Sequence, residues 1–82
     1  MVTLTNVKKQ NNILTTEYYP EGNKSDIGRI EFDVQSKKAI NIQYCKEDEE
    51  SFLKRYANKA VDAIEEMIAK NEYPKTYEYM WY

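Results

Sequence analysis

The chain contains no histidine, one cysteine and only two glycines, and these scarcities exclude several kinds of chemistry. Without an imidazole there is no general base of the usual type near neutral pH and no histidine-dependent catalytic triad. A structural zinc site needs several thiolates or imidazoles, which Cys45 alone cannot supply. Gly22 and Gly28 are isolated, so neither a Walker loop nor a GxGxxG motif is present. The sequence therefore predicts a protein that is not an enzyme and that binds no metal and no cofactor.

Long apolar runs are also missing. No stretch approaches the roughly 18 consecutive apolar residues of a membrane span, and Met1 to Asn12 has no apolar segment of the kind found in signal peptides. A single cysteine cannot form an intramolecular disulfide, which suits a reducing compartment. We therefore expect a cytoplasmic protein without a membrane partner.

The composition is that of an ordinary small globular protein. Hydrophobic residues make up 41% and charged residues 32% of the 82 residues, enough apolar surface for one core and too little chain for a second. We therefore expect a single domain spanning residues 1–82. The net charge of −2 argues against a nucleic-acid partner, because such a partner needs a basic face.

The longest periodic segment predicts one amphipathic helix from Glu49 to Lys70. Its apolar residues recur at spacings of three and four and would form one stripe; they are Phe52, Leu53, Tyr56, Ala57, Ala60, Val61, Ile64, Met67 and Ile68. We expect Asp48 to be the N-cap and Asn71 to end the helix. The acidic run 47–50 suits the positive end of the helix dipole, so capping explains it without a bound cation.

Five segments are predicted to be strands, four before the helix and one after it. They are Val2–Val7, Ile13–Tyr19, Ile27–Val34, Ala39–Cys45 and Lys75–Tyr82. In the fourth strand, Ile40, Ile42 and Tyr44 should point inward and Cys45 outward. The fold class is α+β, with β-β-β-β-α-β order, an antiparallel sheet of four or five strands and the long helix on one face. The last strand could lie parallel to the fourth or antiparallel to the first; we expect the second arrangement, because it keeps the sheet antiparallel.

Aromatic residues are abundant, with eight tyrosines, two phenylalanines and one tryptophan. Most of them should fill the space between helix and sheet, while Tyr19 and Tyr82 should be exposed because their same-face neighbours are polar. Acidic side chains alternate with core residues along the strands and should point away from the helix. The candidate interaction surface is therefore the outer sheet face, with Glu17, Tyr19, Glu31, Asp33, Glu78 and Tyr82.

Three short segments carry a resemblance to other proteins. They are Tyr18–Gly22 (YYPEG), Ile30–Asp33 (IEFD) and the closing Met80–Tyr82 (MWY). In these segments the chain resembles small uncharacterised proteins of Gram-positive bacteria and their phages. The resemblance implies a bacterial cytoplasmic setting and no particular activity.

Two functions of different classes are consistent with the sequence. The first is a non-enzymatic protein-interaction module, which would bind a partner or associate with itself through a sheet edge or the outer face. The second is an acidic phage-type protein that modulates a nucleic-acid-processing system as a nuclease inhibitor or DNA mimic. The second requires Glu17, Glu31, Asp33 and Glu78 to form one negative field.

Overall fold

The computed structural model describes residues 1–81, which form an antiparallel sheet covered on one face by a helix. The strands are β1 (Val2–Gln10), β2 (Ile13–Pro20), β3 (Gly28–Asp33), β4 (Lys38–Gln43) and β5 (Tyr77–Tyr79), and the helices are α1 (Lys46–Glu49) and α2 (Arg55–Lys70). The strand order is β4-β3-β2-β1-β5. Strand β5 pairs antiparallel with β1, as predicted, with Val2 opposite Tyr79 and Leu4 opposite Tyr77.

The core lies between α2 and one face of the sheet. The strands contribute mainly large side chains, whereas α2 contributes three fully buried alanines together with two larger residues. The buried residues are Val2, Leu4, Val7, Leu14, Tyr18, Ile30 and Phe32 from the sheet and Ala57, Ala60, Ala63, Ile64 and Met67 from the helix. Small residues on the helix allow its backbone to approach the sheet closely, so the larger strand residues fill most of the interior. Tyr77, Tyr79 and Trp81 extend this core at the β5 edge.

A bulge in β1 keeps its apolar residues on the core side. The pairing with β2 shifts between Thr5 and Lys8, and Asn6 takes up the extra residue with a φ of 52°. Asparagine tolerates this left-handed conformation better than most residues. Because of the shift, Val7 follows Val2 and Leu4 onto the buried face although its position in the sequence has the opposite parity.

The predicted inward orientation of Ile40 was wrong, because of a second irregularity in the sheet. The β3–β4 register shifts so that Glu31 lies opposite Asn41 and Phe32 opposite Ala39, which leaves Ile40 without a partner. Ile40 is consequently 57% exposed at the sheet edge rather than inward. The prediction for Cys45 was also wrong: β4 ends at Gln43, and Cys45 is buried where the chain turns toward α1.

The predicted helix Glu49–Lys70 is in fact two helices separated by a turn. The short α1 ends at Glu49 and α2 begins at Arg55, and Lys54 between them is left-handed with a φ of 51°. Asp48 lies inside α1 rather than at an N-cap position. The predicted C-terminal end is confirmed, since Asn71 is the left-handed cap of α2. Within residues 1–81, no helix combines the length and apolar character needed to cross a membrane.

Candidate interaction site

Two aspartates, Asp26 and Asp48, accept hydrogen bonds from the free backbone N–H groups at the starts of α1 and α2. The carboxylate of Asp26, in the loop before β3, accepts hydrogen bonds from the backbone N–H of Lys46 at 2.6 Å and of Glu47 at 3.0 Å. This fixes the start of α1, where the N-cap residue Cys45 makes no side-chain capping bond. The β2–β3 loop is thereby tied to the segment that leads into α2.

Asp48 fulfils the same role for α2 and is completely buried. Its Oδ1 accepts the backbone N–H of Tyr56 at 3.0 Å, and its Oδ2 accepts the backbone N–H of Ala57 at 2.8 Å and the hydroxyl of Tyr18 at 2.7 Å. The Tyr18 hydroxyl in turn accepts the backbone N–H of Cys45 at 3.1 Å. A buried carboxylate is tolerated when donors and a helix N-terminus surround it. Asp48 therefore joins β2, α1 and α2 at one point.

This network changes the acidity of the groups within it. Burial, followed by the hydrogen bond to Asp48, raises the pKa of the Tyr18 hydroxyl above its ordinary value. Burial also raises the pKa of the Cys45 thiol, so at neutral pH this thiol carries little of the thiolate that a nucleophile needs. Tyr18 therefore acts here as a neutral donor and acceptor, and Cys45 as part of the core.

The raised pKa values predict a loss of stability at alkaline pH. Above about pH 10 the unfolded chain releases the Tyr18 proton while the folded chain retains it, so the free energy of unfolding should fall as the pH rises. One such group contributes about 1.4 kcal/mol per pH unit. Urea unfolding between pH 8 and about pH 11 should show this decline, with a shallower slope for Tyr18→Phe. Identical slopes for the two proteins would contradict the assignment.

The five residues that join α1 to α2, here called the 50–54 turn, are anchored at both ends. At its first residue, the backbone N–H of Glu50 donates to Lys46 O at 3.2 Å. At its last residue, the Lys54 ammonium donates to Asp48 O at 3.0 Å and lies 5.1 Å from the centre of the Tyr44 ring. The Asn58 amide also donates to Leu53 O at 2.9 Å. These contacts fix the backbone on either side of the apex.

At the apex of this turn, two large apolar side chains point into solvent. Phe52 is 98% exposed and Leu53 is 64% exposed. Burying a side chain of this size is worth about 1.5 to 3 kcal/mol, so exposing two adjacent ones gives up stability that a core position would supply. The exposed carboxylates of Glu47, Glu49 and Glu50 lie in and beside α1. The turn is thus an apolar projection with acidic neighbours.

Only some of the residues predicted for the outer sheet face lie close together in the structure. Tyr19 and Glu78 both lie opposite Thr3, on either side of it, so the sheet brings these two together. Tyr19 is half-buried rather than exposed. Glu17, two residues before Tyr19 on β2, lies between Thr5 of β1 and Arg29 of β3. Tyr82 lies outside the described residues.

The other acidic residues predicted for this surface, Glu31 and Asp33, interact with residues close to them in the sheet. Glu31 accepts a weak hydrogen bond from the Asn41 amide at 3.4 Å, and Asp33 accepts the backbone N–H of Gln35 at 2.9 Å in the β3–β4 turn. Asp33 also lies opposite Lys38. The outer face therefore carries both signs of charge, since Arg29 lies opposite Glu17 and Lys38 lies opposite Asp33.

Sequence reasoning missed Phe52 and Leu53 because they continue the helical spacing. Leu53 lies four residues before Ala57 and so matches the buried stripe of α2. The available signal was Ser51, a residue type that favours helix starts over helix interiors.

No cluster of three or more potential metal ligands occurs in the part of the chain that the structure describes. Comparison with known protein families, curated proteins and solved structures finds no match to this chain.

Proposed function

We propose that the chain is a non-enzymatic protein-interaction module of the cytoplasm, and that the 50–54 turn is its binding element. The observation that supports this proposal is the 98% exposure of Phe52 at the apex of a turn whose flanks are anchored. Aromatic side chains that enter a pocket on a partner commonly supply much of the binding energy of an interface.

Anchoring makes this exposed pair suited to binding. A flexible loop would lose conformational entropy on association, whereas the bonds of Asp48, Lys54 and Asn58 have already ordered this segment. A pre-ordered binding element therefore retains more of the free energy gained by burying its apolar area. The apolar apex fits a concave apolar site on the partner.

The charges beside the turn favour a particular kind of rim around such a site. Glu47, Glu49 and Glu50 are exposed, so a partner with basic residues around its pocket would be attracted and oriented. The mixed charges of the outer sheet face give the DNA-mimic alternative no comparable support, since mimicry of phosphates requires one continuous negative field.

Site-specific photocrosslinking tests the proposal. The photoreactive residue p-benzoylphenylalanine would replace Phe52 in one protein and Ile40 in another, since Ile40 is also a large exposed apolar residue. Irradiation in an extract of the source cells should give a discrete protein adduct from position 52 and none of comparable yield from position 40. Excess unlabelled wild-type protein should abolish an adduct with a different protein, whereas excess Phe52→Ala/Leu53→Ala should not. Equal adducts from both positions, or none from position 52, would refute the proposal.

A further inference from the structure

We infer that the cavity between the last turn of α2 and β5 binds a small organic cation, with an ammonium group on an apolar ring or chain. The volume of the cavity is about 500 Å³, within the range of about 300 to 1,000 Å³ that is usual for small-molecule sites. The cavity lies at the opposite end of α2 from the 50–54 turn. The inference is therefore independent of the proposed function and concerns a second kind of ligand.

One part of the cavity lining is apolar and aromatic. It comes from Met67, Tyr73, Pro74 and Tyr77. Met67 is buried, and the two tyrosines are half-buried against the core, so packing holds these side chains in place. The Tyr77 hydroxyl also donates to Glu66 Oε1 at 2.9 Å, which fixes this ring against α2. These side chains would contact the apolar body of the ligand.

The polar part of the lining carries an excess of negative charge. Glu66 and Glu72 contribute two carboxylates, and Lys70 contributes one ammonium. Lys70 lies 3.9 Å from Glu66 Oε1, the same oxygen that accepts the Tyr77 hydroxyl, so neither contact uses Oε2. The Glu72 carboxylate forms no ion pair or hydrogen bond with any other residue from 1 to 81. One carboxylate of the cavity therefore remains uncompensated, and the negative end of the α2 dipole adds to the attraction for a cation.

The tyrosine rings provide a second interaction with an ammonium group, because the face of an aromatic ring attracts cations. The Lys9 ammonium, which is not part of the lining, already lies 5.6 Å from the centre of the Tyr73 ring. The Tyr77 ring in the cavity wall offers the same interaction to a ligand. The charges of Lys9 and Lys70 oppose a bound cation, so we expect a dissociation constant of about 1 mM.

Titration with phenethylammonium, followed by NMR of the backbone amides, tests the inference. The amide signals of Met67, Glu72 and Tyr73 should shift most, because these residues line the cavity. The neutral analogue phenethyl alcohol has the same ring and chain length and should bind about fivefold more weakly. The anion hydrocinnamate should bind more weakly still. Equal affinities for the cation and the neutral analogue, shifts confined to other parts of the chain, or no shifts up to about 10 mM would overturn the inference.

Three variants distinguish the charges of the cavity from the net charge of the protein. Glu72→Gln should weaken the binding of phenethylammonium about threefold, because it removes the uncompensated carboxylate. Glu65→Gln is the matched control, since it removes an exposed carboxylate of α2 that does not line the cavity, and it should leave the affinity unchanged. Lys70→Gln should strengthen binding about twofold, because it removes an opposing charge. All three positions are exposed, so the variants should unfold at the same urea concentration as wild type. Equal effects of Glu72→Gln and Glu65→Gln would overturn the inference.

Discussion

Replacing Asp48 with alanine should lower the free energy of unfolding by about 3 to 4 kcal/mol. The substitution removes the acceptor for the Tyr18 hydroxyl and for two backbone N–H groups at the start of α2. The site is completely buried, so water cannot replace the carboxylate without opening the structure. For a protein of this size, such a loss is a large part of the total stability.

Two further substitutions separate the role of the network from that of charge. Glu49→Ala removes an exposed carboxylate from the same short helix and should change stability by no more than about 0.5 kcal/mol. Asp48→Asn keeps one acceptor oxygen but directs an amide N–H₂ at neighbouring donors, so its effect should lie between the other two. The measurement is urea unfolding at pH 7, followed by circular dichroism. Similar losses for Asp48→Ala and Glu49→Ala would contradict the proposed role of Asp48.

The Gly28→Ala substitution should destabilise the protein by about 2 to 3 kcal/mol, although it adds only one methyl group. A Cβ at this position would overlap Cε1 of the Tyr18 ring and would lie 2.6 Å from Cζ and 2.8 Å from the backbone nitrogen of Cys45. The ring cannot readily move aside, because its hydroxyl is held between Asp48 and Cys45. Relief of the overlap would have to break the network or displace β3.

Gly22→Ala is the matched control. Gly22 has a φ of +75° and no atom within 4 Å of an added Cβ, so alanine there meets backbone strain without a steric clash. That strain costs about 1 kcal/mol. The comparison of midpoints in urea should therefore rank Gly28→Ala clearly below Gly22→Ala. An equal or smaller effect at Gly28 would show that the Tyr18 ring has room to move.

The strands could be predicted from sequence because they depend on short-range patterns. Alternation along Ile30 to Phe32 identifies a half-buried strand. The place of β5 followed from a different argument: the connection allowed two positions, and pairing with β1 is the one that keeps the sheet antiparallel. The bulges could not be predicted in the same way. Asn6 and Ile40 each displace the register by one residue, and the alternation in the sequence does not show where such a shift occurs.

The candidate site was harder to predict because it depends on contacts between residues that are distant in sequence. The carboxylate of Asp48 that caps α2 also accepts the hydroxyl of Tyr18, which is 30 residues away. Within the segment itself, Phe52 and Leu53 match the helix period, so the pattern places them in the core. In the structure, the bonds from Lys54 to Asp48 O and from the Tyr56 N–H to Asp48 Oδ1 close the turn between the two helices, and Phe52 and Leu53 are exposed on it.

The pairing of β1 with β5 also has a consequence for the order of folding. Strands β1 to β4 pair with their neighbours in the sequence, whereas β1 pairs with β5 across nearly the whole chain, as in Val2 with Tyr79. Local pairings form sooner than distant ones, because closing a long loop costs more entropy. During synthesis, the side of β1 that receives β5 therefore remains an unpaired sheet edge until residues 77–79 have left the ribosome. Over that interval the nascent chain is open to strand addition by other chains.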